Sequence, residues 1–227
     1  MKKIKKFIRK IIVICILVVL AIVGYIIYDG YKLYQDKISE ISIEKMVEQI
    51  QSKDGYLTYS DIPEDFSNAL VCIEDRRFFK HSGIDVISIS RAMVSNFKEK
   101  KLVEGGSTIT QQLAKNMYFE FDKKFARKVA EVFVVRDLEE KYSKEEILAM
   151  YINIVYFGEG YYGLSEASKG YFKKDVDKLN YDEITMLAGL PNAPSVYNPV
   201  QNPDLAVKRQ ELVKEAVEKY INEVKKK

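Results

Sequence analysis

The chain has 227 residues, with 36 Lys and Arg against 33 Asp and Glu, a net charge of +3. One histidine and two cysteines exclude a zinc site of the usual nitrogen and sulfur type. The two cysteines, Cys15 and Cys72, fall on opposite sides of a predicted membrane boundary. They cannot form an internal disulfide, so the fold has to be held by packing.

The N-terminus predicts a membrane anchor. Residues 1–10 carry six basic side chains and no acidic ones, and 18 uncharged residues follow at 11–28. At about 1.5 Å per residue this run spans roughly 27 Å, close to the ~30 Å hydrocarbon core of a bilayer. The alternative is a cleaved signal peptide, whose apolar region is usually about 7–15 residues long and ends at small residues. The basic flank predicts that residues 1–10 are cytoplasmic and that the rest of the chain is outside.

The net positive charge of the chain comes from the six basic residues of this N-terminal flank. Without it the chain has 30 basic and 33 acidic residues, a net charge of −3. The basic character is therefore a topology signal, and no stripe of basic and aromatic residues indicates a nucleic-acid partner.

Residues 29–58 are predicted as a stalk with helical character near 38–50, and residues 59–227 as one mainly α domain. Asp61, Pro63 and Glu64 have the pattern of a helix start. A second helix is expected from Asp85 to Phe97, followed by an exposed loop at 98–106. The side chains expected to face inward from these two helices are Phe66, Ala69, Leu70, Ile73, Val86, Ile89, Met93 and Phe97.

The second half of the domain also has helical patterns. A long helix is predicted at 122–141, with Phe125, Val129, Val132 and Leu138 as core positions. Further helix starts are predicted at Ser143, at Asn180 and at the Asn202–Pro203 pair, from their capping residues.

Residues 105–116 carry two glycines, hydroxyl residues and then a helical pattern. Thr108, Gln111, Gln112 and Lys115 share one helix face, while Ile109, Leu113 and Met117 form the opposite, core-facing stripe. Free amides at a helix start and a lysine two turns later would suit a phosphate or pyrophosphate. The alternative is an ordinary loop followed by an N-cap.

Two carboxylates are candidates for chemistry. Glu74 lies at the margin of an apolar stripe, where desolvation would make it a better proton acceptor. The alternative is a surface acid paired with Arg76 or Arg77.

Glu131 shares a helix face with Arg127 and Lys128, either as a solvated ion-pair face or as a carboxylate that positions cations. His81 is interpreted as a loop-stabilising hydrogen-bonding group.

Five segments in chain order resemble the motifs of the peptidoglycan glycosyltransferases, in their monofunctional, membrane-anchored form. The chain ends soon after the fifth segment, so the transpeptidase domain of bifunctional relatives is expected to be missing. The matching residues are Glu74, Asp75, Phe78, His81 and Gly83; Gly106–Gln112 with Lys115 and Asn116; Arg127, Lys128 and Glu131; Lys144, Ile147, Leu148, Tyr151 and Asn153; and Ala188, Pro191, Pro194, Tyr197, Asn198 and Pro199.

The resemblance implies a lysozyme-like, mainly α fold and an inverting β-1,4 transfer that polymerises lipid II and releases undecaprenyl pyrophosphate. Glu74 would be the base, and Glu131 a second catalytic carboxylate that orients cations. The implied substrate-binding residues are Lys115, Arg127, Ser107, Thr108, Gln111, Gln112, Asn116, Arg77 and Lys128. The implied structural residues are Asp75, Phe78, His81, Gly83, Tyr151 and Asn153.

No organic cofactor is expected, and a divalent cation such as Mg or Mn near Glu131 is left open. The implied partners are lipid II, the growing glycan chain, the bilayer and other cell-wall synthesis proteins. Apolar residues of segment 86–104, namely Ile87, Val94, Phe97 and Leu102, are expected to dip into the membrane interface. Two alternatives stay open: a lysozyme-like enzyme that cleaves peptidoglycan, and a non-catalytic anchored scaffold.

Overall fold

The computed structural model describes residues 2–99, 105–119 and 126–225. These parts of the chain contain ten α-helices and three 3₁₀ turns, and their single β pairing is an isolated bridge between Tyr156 and Tyr162. The mainly α prediction is therefore confirmed. The helices are α1 (Lys2–Glu40), α2 (Ile43–Gln51), α3 (Glu64–Glu74), α4 (Val86–Glu99), α5 (Ile109–Tyr118), α6 (Ala126–Lys141), α7 (Lys144–Ile154), α8 (Leu164–Phe172), α9 (Tyr181–Gly189) and α10 (Pro203–Val224).

Capping residues begin two of these helices where the sequence predicts. The Ser143 side chain accepts a hydrogen bond from the Glu146 backbone N–H, and the Glu146 carboxylate accepts one from the Ser143 N–H. Asn180 and Glu183 form the same reciprocal pair at α9. Each pair satisfies two amide groups that would otherwise be left without partners at a helix start.

The start of α3 differs from the prediction. Asp61 accepts hydrogen bonds from the backbone and hydroxyl of Thr58, and so closes the 3₁₀ turn Tyr59–Asp61. Helix α3 begins after this turn, with Pro63 at the N-cap and no side-chain cap. Phe66, Ala69 and Leu70 are fully buried, as expected from the apolar stripe.

Two groups of helices build the domain. Helices α3, α9 and α10 pack against one another, and α5 packs against α6 and α7. Glu74, the last residue of α3, lies where the two groups meet, because its carboxylate bonds to side chains of both α5 and α10. The catalytic candidate is therefore held by the junction of the two groups.

Helix α1 joins the predicted span to the domain without a break. It includes a stretch long and apolar enough to cross a membrane, and its C-terminal part packs along α6. Gly30 lies so close to Val129 and Ala126 of α6 that a Cβ at this position would collide with Val129. Tyr34 is buried and donates a hydrogen bond to Asp137 of α6.

The segment predicted as a stalk is not separate from the domain in its packing. Tyr34, Ile43, Val47 and Ile50 are all buried members of the main hydrophobic core. The amphipathic pattern of α2 is therefore satisfied against the domain, and Ser42 interrupts the expected 38–50 helix as the N-cap of α2.

The predicted inward face of α4 is wrong. Val86 and Met93 are each 69% exposed and Phe97 is 86% exposed, whereas Ala92 is the buried residue of this helix. Of the four positions predicted to face inward, Ile89 alone is half-buried, and the other three point away from the core. The same exposed side includes Ile87 and Val94, which the sequence assigned to the membrane interface.

One predicted core position of α6 is also wrong. Val132 is 37% exposed, while Ala130, Val134 and Leu138 are fully buried. Residues 100–104 and 120–125 lie outside the described residues. The predictions for Leu102, for Phe125 and for a helix start at 122 fall on these residues.

Candidate active site

Glu74 is a carboxylate enclosed at the end of α3. Its side chain is 5% exposed, and it accepts hydrogen bonds from Gln112 Nε2 at 2.9 Å and from Arg209 Nη2 at 3.3 Å. Burial raises the pKa of Glu74, which the Gln112 hydrogen bond and the Arg209 charge oppose and the Asp75 charge reinforces. A carboxylate with a raised pKa is a stronger base than a surface glutamate.

Tyr151 fixes the amide that faces this carboxylate. It is fully buried on α7 and donates a hydrogen bond from its hydroxyl to Gln112 Oε1 at 2.9 Å. Burial, with the charge of Glu74, raises the pKa of Tyr151 well above its ordinary value, so the phenol keeps its proton and acts as a donor. The amide oxygen of Gln112 is thereby occupied, and its NH₂ group is directed to Glu74.

Arg209 is a functional candidate that sequence reasoning missed. Its Nε donates to Gly189 O at 3.1 Å, and its guanidinium lies 5.4 Å from the centre of the Tyr197 ring. A Cβ on Gly189 would lie 3.0 Å from Arg209 Cγ, so the glycine permits this close approach. An arginine on the last amphipathic helix carries no local signal for a partner 135 residues earlier.

Asp75 organises the segment that follows Glu74. Gly83 N donates to His81 Nδ1 at 3.1 Å, so in the neutral ring the proton is on Nε2, which lies 3.0 Å from both oxygens of Asp75. Asp75 Oδ2 also accepts from Ile109 N at 3.0 Å, which ties this segment to the start of α5. His81 is thus placed as a hydrogen-bonding group of the loop.

Gly83 is required by its backbone and by its surroundings. Its φ is +83°, and an added Cβ would collide with Val135 Cγ1 of α6. Phe78 is fully buried, and Lys144 Nζ lies 4.5 Å from the centre of its ring. These contacts seat the first motif against α6 and α7.

The start of α5 is closed by the chain itself. Thr108 and Gln111 form a capping box, and Thr108 Oγ1 donates to Gly83 O at 2.6 Å. Because Ile109 N–H bonds to Asp75 and Gln111 N–H bonds to Thr108, these amides are not free for a phosphate. The predicted amide cradle is therefore wrong at these positions, and the alternative of an ordinary N-cap describes Thr108.

Lys115 and Ser107 are the accessible polar groups of this segment. Lys115 is exposed and pairs with no carboxylate in the described part of the chain. Ser107 Oγ accepts a hydrogen bond from Lys128 Nζ at 3.2 Å. Asn116 is half-buried, one residue after Lys115. Ile109, Leu113 and Met117 are buried, so the predicted core stripe of α5 is confirmed.

Glu131 is a buried anchor for two cations. It is 1% exposed, its Oε1 accepts from Arg127 Nη1 at 2.8 Å, and its Oε2 lies 2.9 Å from Lys128 Nζ. Glu131 Oε2 accepts no hydrogen bond within the described residues, but two cationic side chains already face the carboxylate, which disfavours a divalent cation beside it. The arrangement fits a carboxylate that positions Arg127 and Lys128.

A second group has the spacing of metal ligands. Ligand atoms of Asp75, His81 and Asp85 all lie within 4.8 Å of one another. However, hydrogen bonds inside the protein use both nitrogens of His81, and Asp85 accepts from Arg77 Nε at 2.9 Å. Arg77, predicted to bind substrate, is thus engaged with a buried acid.

Asn153 connects the site helices to the segment before them. Its Nδ2 donates to Leu57 O and Ala149 O at 2.8 Å each, and its Oδ1 accepts from Leu57 N at 2.9 Å. Three of the four hydrogen-bonding positions of the Asn153 amide are therefore used. The geometry places Asn153 as a link between α7 and residue 57.

The two carboxylates are both connected to the segment at the start of α5. Glu74 contacts Gln112 directly, and Glu131 reaches Ser107, just before the helix, through Lys128. A buried carboxylate and a pair of cations are therefore joined to one short stretch of the chain, residues 107–112.

Comparison with known proteins identifies the family of the chain. Residues 39–218 match the family described as Transglycosylase. The chain belongs to the transglycosylase family. The resemblance to peptidoglycan glycosyltransferases and the prediction of a lysozyme-like, mainly α fold are thereby confirmed.

The family includes much longer relatives. Penicillin-binding protein 1F of Bacillus subtilis is 40% identical over 220 residues, which are 92% of this chain and 31% of that protein. Penicillin-binding protein 1A/1B of B. subtilis is 41% identical over 79% of this chain and 20% of its own length. Penicillin-binding protein 1A of Neisseria cinerea is 45% identical over 67% of this chain. The chain thus spans less than a third of these curated relatives.

Proposed function

We propose that the protein is a peptidoglycan glycosyltransferase that polymerises lipid II into glycan strands and releases undecaprenyl pyrophosphate. The observation that carries this proposal is Glu74, a buried carboxylate of raised pKa held by Gln112 and Arg209. Cationic side chains on α5 and α6 supply the positive charge that is the second requirement of the reaction. Membership of the transglycosylase family supports the same reaction class.

In the proposed reaction, Glu74 accepts the proton of the 4-hydroxyl of the incoming sugar. The oxygen forms a bond to the donor anomeric carbon with inversion, and the bond from that carbon to the lipid pyrophosphate breaks. The leaving group is already anionic, so it needs positive charge more than a proton. Lys115, Arg127 and Lys128 are the side chains that we assign to this task.

Glu131 acts in this scheme as a positioning residue. Its buried carboxylate holds Arg127 and Lys128 in place, and Lys128 in turn reaches Ser107. Glycoside hydrolysis instead uses a second carboxyl that donates a proton to the leaving oxygen. A carboxylate engaged by two cations is better suited to orienting them, which favours the polymerase over a peptidoglycan-cleaving enzyme.

The membrane arrangement is part of the proposal. Residues 1–10 would be cytoplasmic, 11–28 would span the bilayer, and 29–227 would lie outside, with 59–227 as the glycosyltransferase domain. The exposed apolar side of α4 supports contact between the domain and the outer bilayer surface, where a lipid-linked substrate resides. Tethering keeps the enzyme at that surface and raises the rate of encounter.

The decisive experiment offers the detergent-solubilised chain two substrates. We expect labelled lipid II to be converted into long glycan that lysozyme digests, and finished cell wall to remain uncleaved. Cleavage of finished wall without polymer formation would indicate the hydrolytic alternative. Absence of both reactions in a folded sample would support the anchored scaffold.

A further inference from the structure

A polar pocket lies outside the residues assigned to the transfer reaction. Its volume is about 250 Å³, slightly below the roughly 300–1,000 Å³ of drug-sized ligand sites, so it holds a group of about one sugar ring. Two segments form it. One is the turn after α7, and the other is the proline-rich segment 190–202 between α9 and α10, which we call the ribbon. Its lining residues are Tyr156, Gly158, Glu159, Ser195, Asn198 and Gln201.

The turn holds Glu159 in an unfavourable backbone conformation. Gly158, Glu159 and Gly160 all have positive φ, at +94°, +53° and +82°. A residue with a Cβ costs roughly 1–2 kcal/mol in the left-handed region, and glycine would avoid that cost. Glu159 therefore has a side chain at a position where the backbone conformation favours glycine.

The ribbon fixes the Glu159 carboxylate from the other side. Its Oε1 accepts from Asn198 Nδ2 and from Gln201 Nε2, each at 2.6 Å. Asn198 is 2% exposed, and its own Oδ1 accepts from the backbone N–H groups of Val200 and Gln201. One oxygen of the exposed Glu159 carboxylate is thus engaged by the ribbon, and the buried Asn198 anchors this contact.

Several groups of the pocket remain available to a ligand. Within the described residues, Glu159 Oε2 and the Ser195 hydroxyl have no hydrogen-bond partner. The lining contains no cation, so it does not suit a phosphate. At the rim, the rings of Tyr156 and Tyr162 are 4.9 Å apart, and Tyr162 is 46% exposed.

This combination matches the chemistry of a saccharide. Sugar hydroxyls donate to a carboxylate and exchange hydrogen bonds with amides and hydroxyls, while the C–H faces of the ring pack on aromatic side chains. A chain of contacts links the pocket to Glu74. Asn198 directly follows Tyr197, whose ring carries the Arg209 guanidinium that bonds to Glu74.

We propose that this pocket is a subsite for one sugar residue of a glycan chain, held by Glu159 through its ring hydroxyls. The inference rests on the proposed function, because a glycan chain is the acceptor or product of that reaction. It adds a binding group for the polymer itself, made of residues other than the cations that would meet the pyrophosphate. Glu159 would then affect the binding of oligosaccharide without taking part in proton transfer.

The test measures binding of a peptide-free tetrasaccharide of alternating N-acetylglucosamine and N-acetylmuramic acid. The full chain in detergent carries Glu74→Gln, so no turnover disturbs the measurement. Glu159→Gly removes the carboxylate and relieves the backbone, and we expect it to weaken tetrasaccharide binding roughly tenfold or more. Lys173→Gly is the matched control, because Lys173 also has a positive φ, +57°, and lies outside the pocket.

Equal tetrasaccharide binding by Glu159→Gly and Lys173→Gly would overturn the subsite. Loss of binding to the free stem pentapeptide, with tetrasaccharide binding unchanged, would overturn it in favour of a peptide pocket. Polymerisation of lipid II by the chain without substitutions is measured separately. A chain that polymerises lipid II but shows no effect of Glu159→Gly loses the subsite and keeps the proposed function. A chain that binds the tetrasaccharide through Glu159 but forms no polymer loses the proposed reaction instead.

Discussion

Arg209 on α10 donates a hydrogen bond of 3.3 Å to Glu74 at the end of α3, across 135 residues of sequence. The same guanidinium is held by Gly189 O and lies over the ring of Tyr197. The position and the basicity of the catalytic candidate therefore depend on the helix that closes the domain. Burial makes Glu74 harder to ionise, and Arg209 limits that effect.

The first prediction concerns the opposing effects of burial and of Arg209 on the pKa of Glu74. Glu74 must be ionised to accept a proton, so polymerisation should fall as the pH drops through its pKa, which lies above the ordinary range for glutamate. Arg209→Met removes a charge that lowers this pKa, so the acid limb of the rate profile should move to higher pH. Turnover of labelled lipid II against pH measures the shift. Arg136→Met, which removes an exposed arginine of α6 that pairs with Asp137, should leave the limb in place. An unmoved limb in Arg209→Met would show that the ion pair does not tune the base.

The second prediction concerns Glu74→Gln. We expect polymerisation to fall by at least about 10²-fold, the contribution of a positioned general base, with lipid II binding nearly intact. A raised pKa means that the folded state binds the proton of Glu74 more tightly than the unfolded state does. At a pH above the pKa of this group in the unfolded chain, the ionised carboxylate therefore lowers the free energy of unfolding. The Tm of the variant at neutral pH should therefore equal or exceed that of the parent. Normal turnover would remove Glu74 from its role, and a sharply lowered Tm would make the loss structural.

The third prediction tests the exposed side of α4. Ile87→Asn combined with Phe97→Asn should weaken liposome binding of a chain that begins at residue 29, since both side chains are exposed and apolar. Burial of such side chains contributes roughly 1.5–3 kcal/mol each, so the loss should exceed tenfold. Leu212→Asn is the control, because Leu212 is 51% exposed on α10. Equal binding by both variants in a flotation assay would show that α4 does not meet the bilayer.

The fourth prediction compares two glycines of α1. Gly30→Val should collide with Val129 of α6, whereas a Cβ on Gly24 meets nothing within 4 Å. Overpacking of this kind costs about 1–3 kcal/mol, which corresponds to a Tm lowered on the order of 5 °C. Gly24→Val should leave the Tm in detergent unchanged. The same Tm in both variants would mean that α1 does not pack tightly on α6.

Local chemistry explains which parts of the fold could be predicted. The capping boxes at Ser143 and Asn180 are complete within four residues, and both helices begin there. The stripe on α4 was found, but its direction was not, since periodicity is the same for a core and for a membrane surface. Thr108 and Gln111 look equally suited to a ligand and to a cap, and the structure places them in the cap.

The candidate site was predictable only in part. Glu74 stood out from its place beside an apolar stripe, and Glu131 from its spacing to Arg127 and Lys128, and their catalytic roles stay predictions. Arg209 could not be linked to Glu74, because nothing local relates two helices that lie far apart in the sequence. The hydrogen bond by which Tyr151 orients Gln112 is likewise a tertiary contact, between residues that are 39 apart in the sequence.

The unbroken α1 has a mechanical consequence in the topology that we propose. Between the apolar run and the contact of Gly30 with Val129 the helix contains no hinge, and Val129 belongs to the helix that carries Arg127 and Glu131. Tilting the intramembrane portion would thus tilt the packed domain with it. Bilayer thickness would then set how the candidate site is oriented toward the membrane surface.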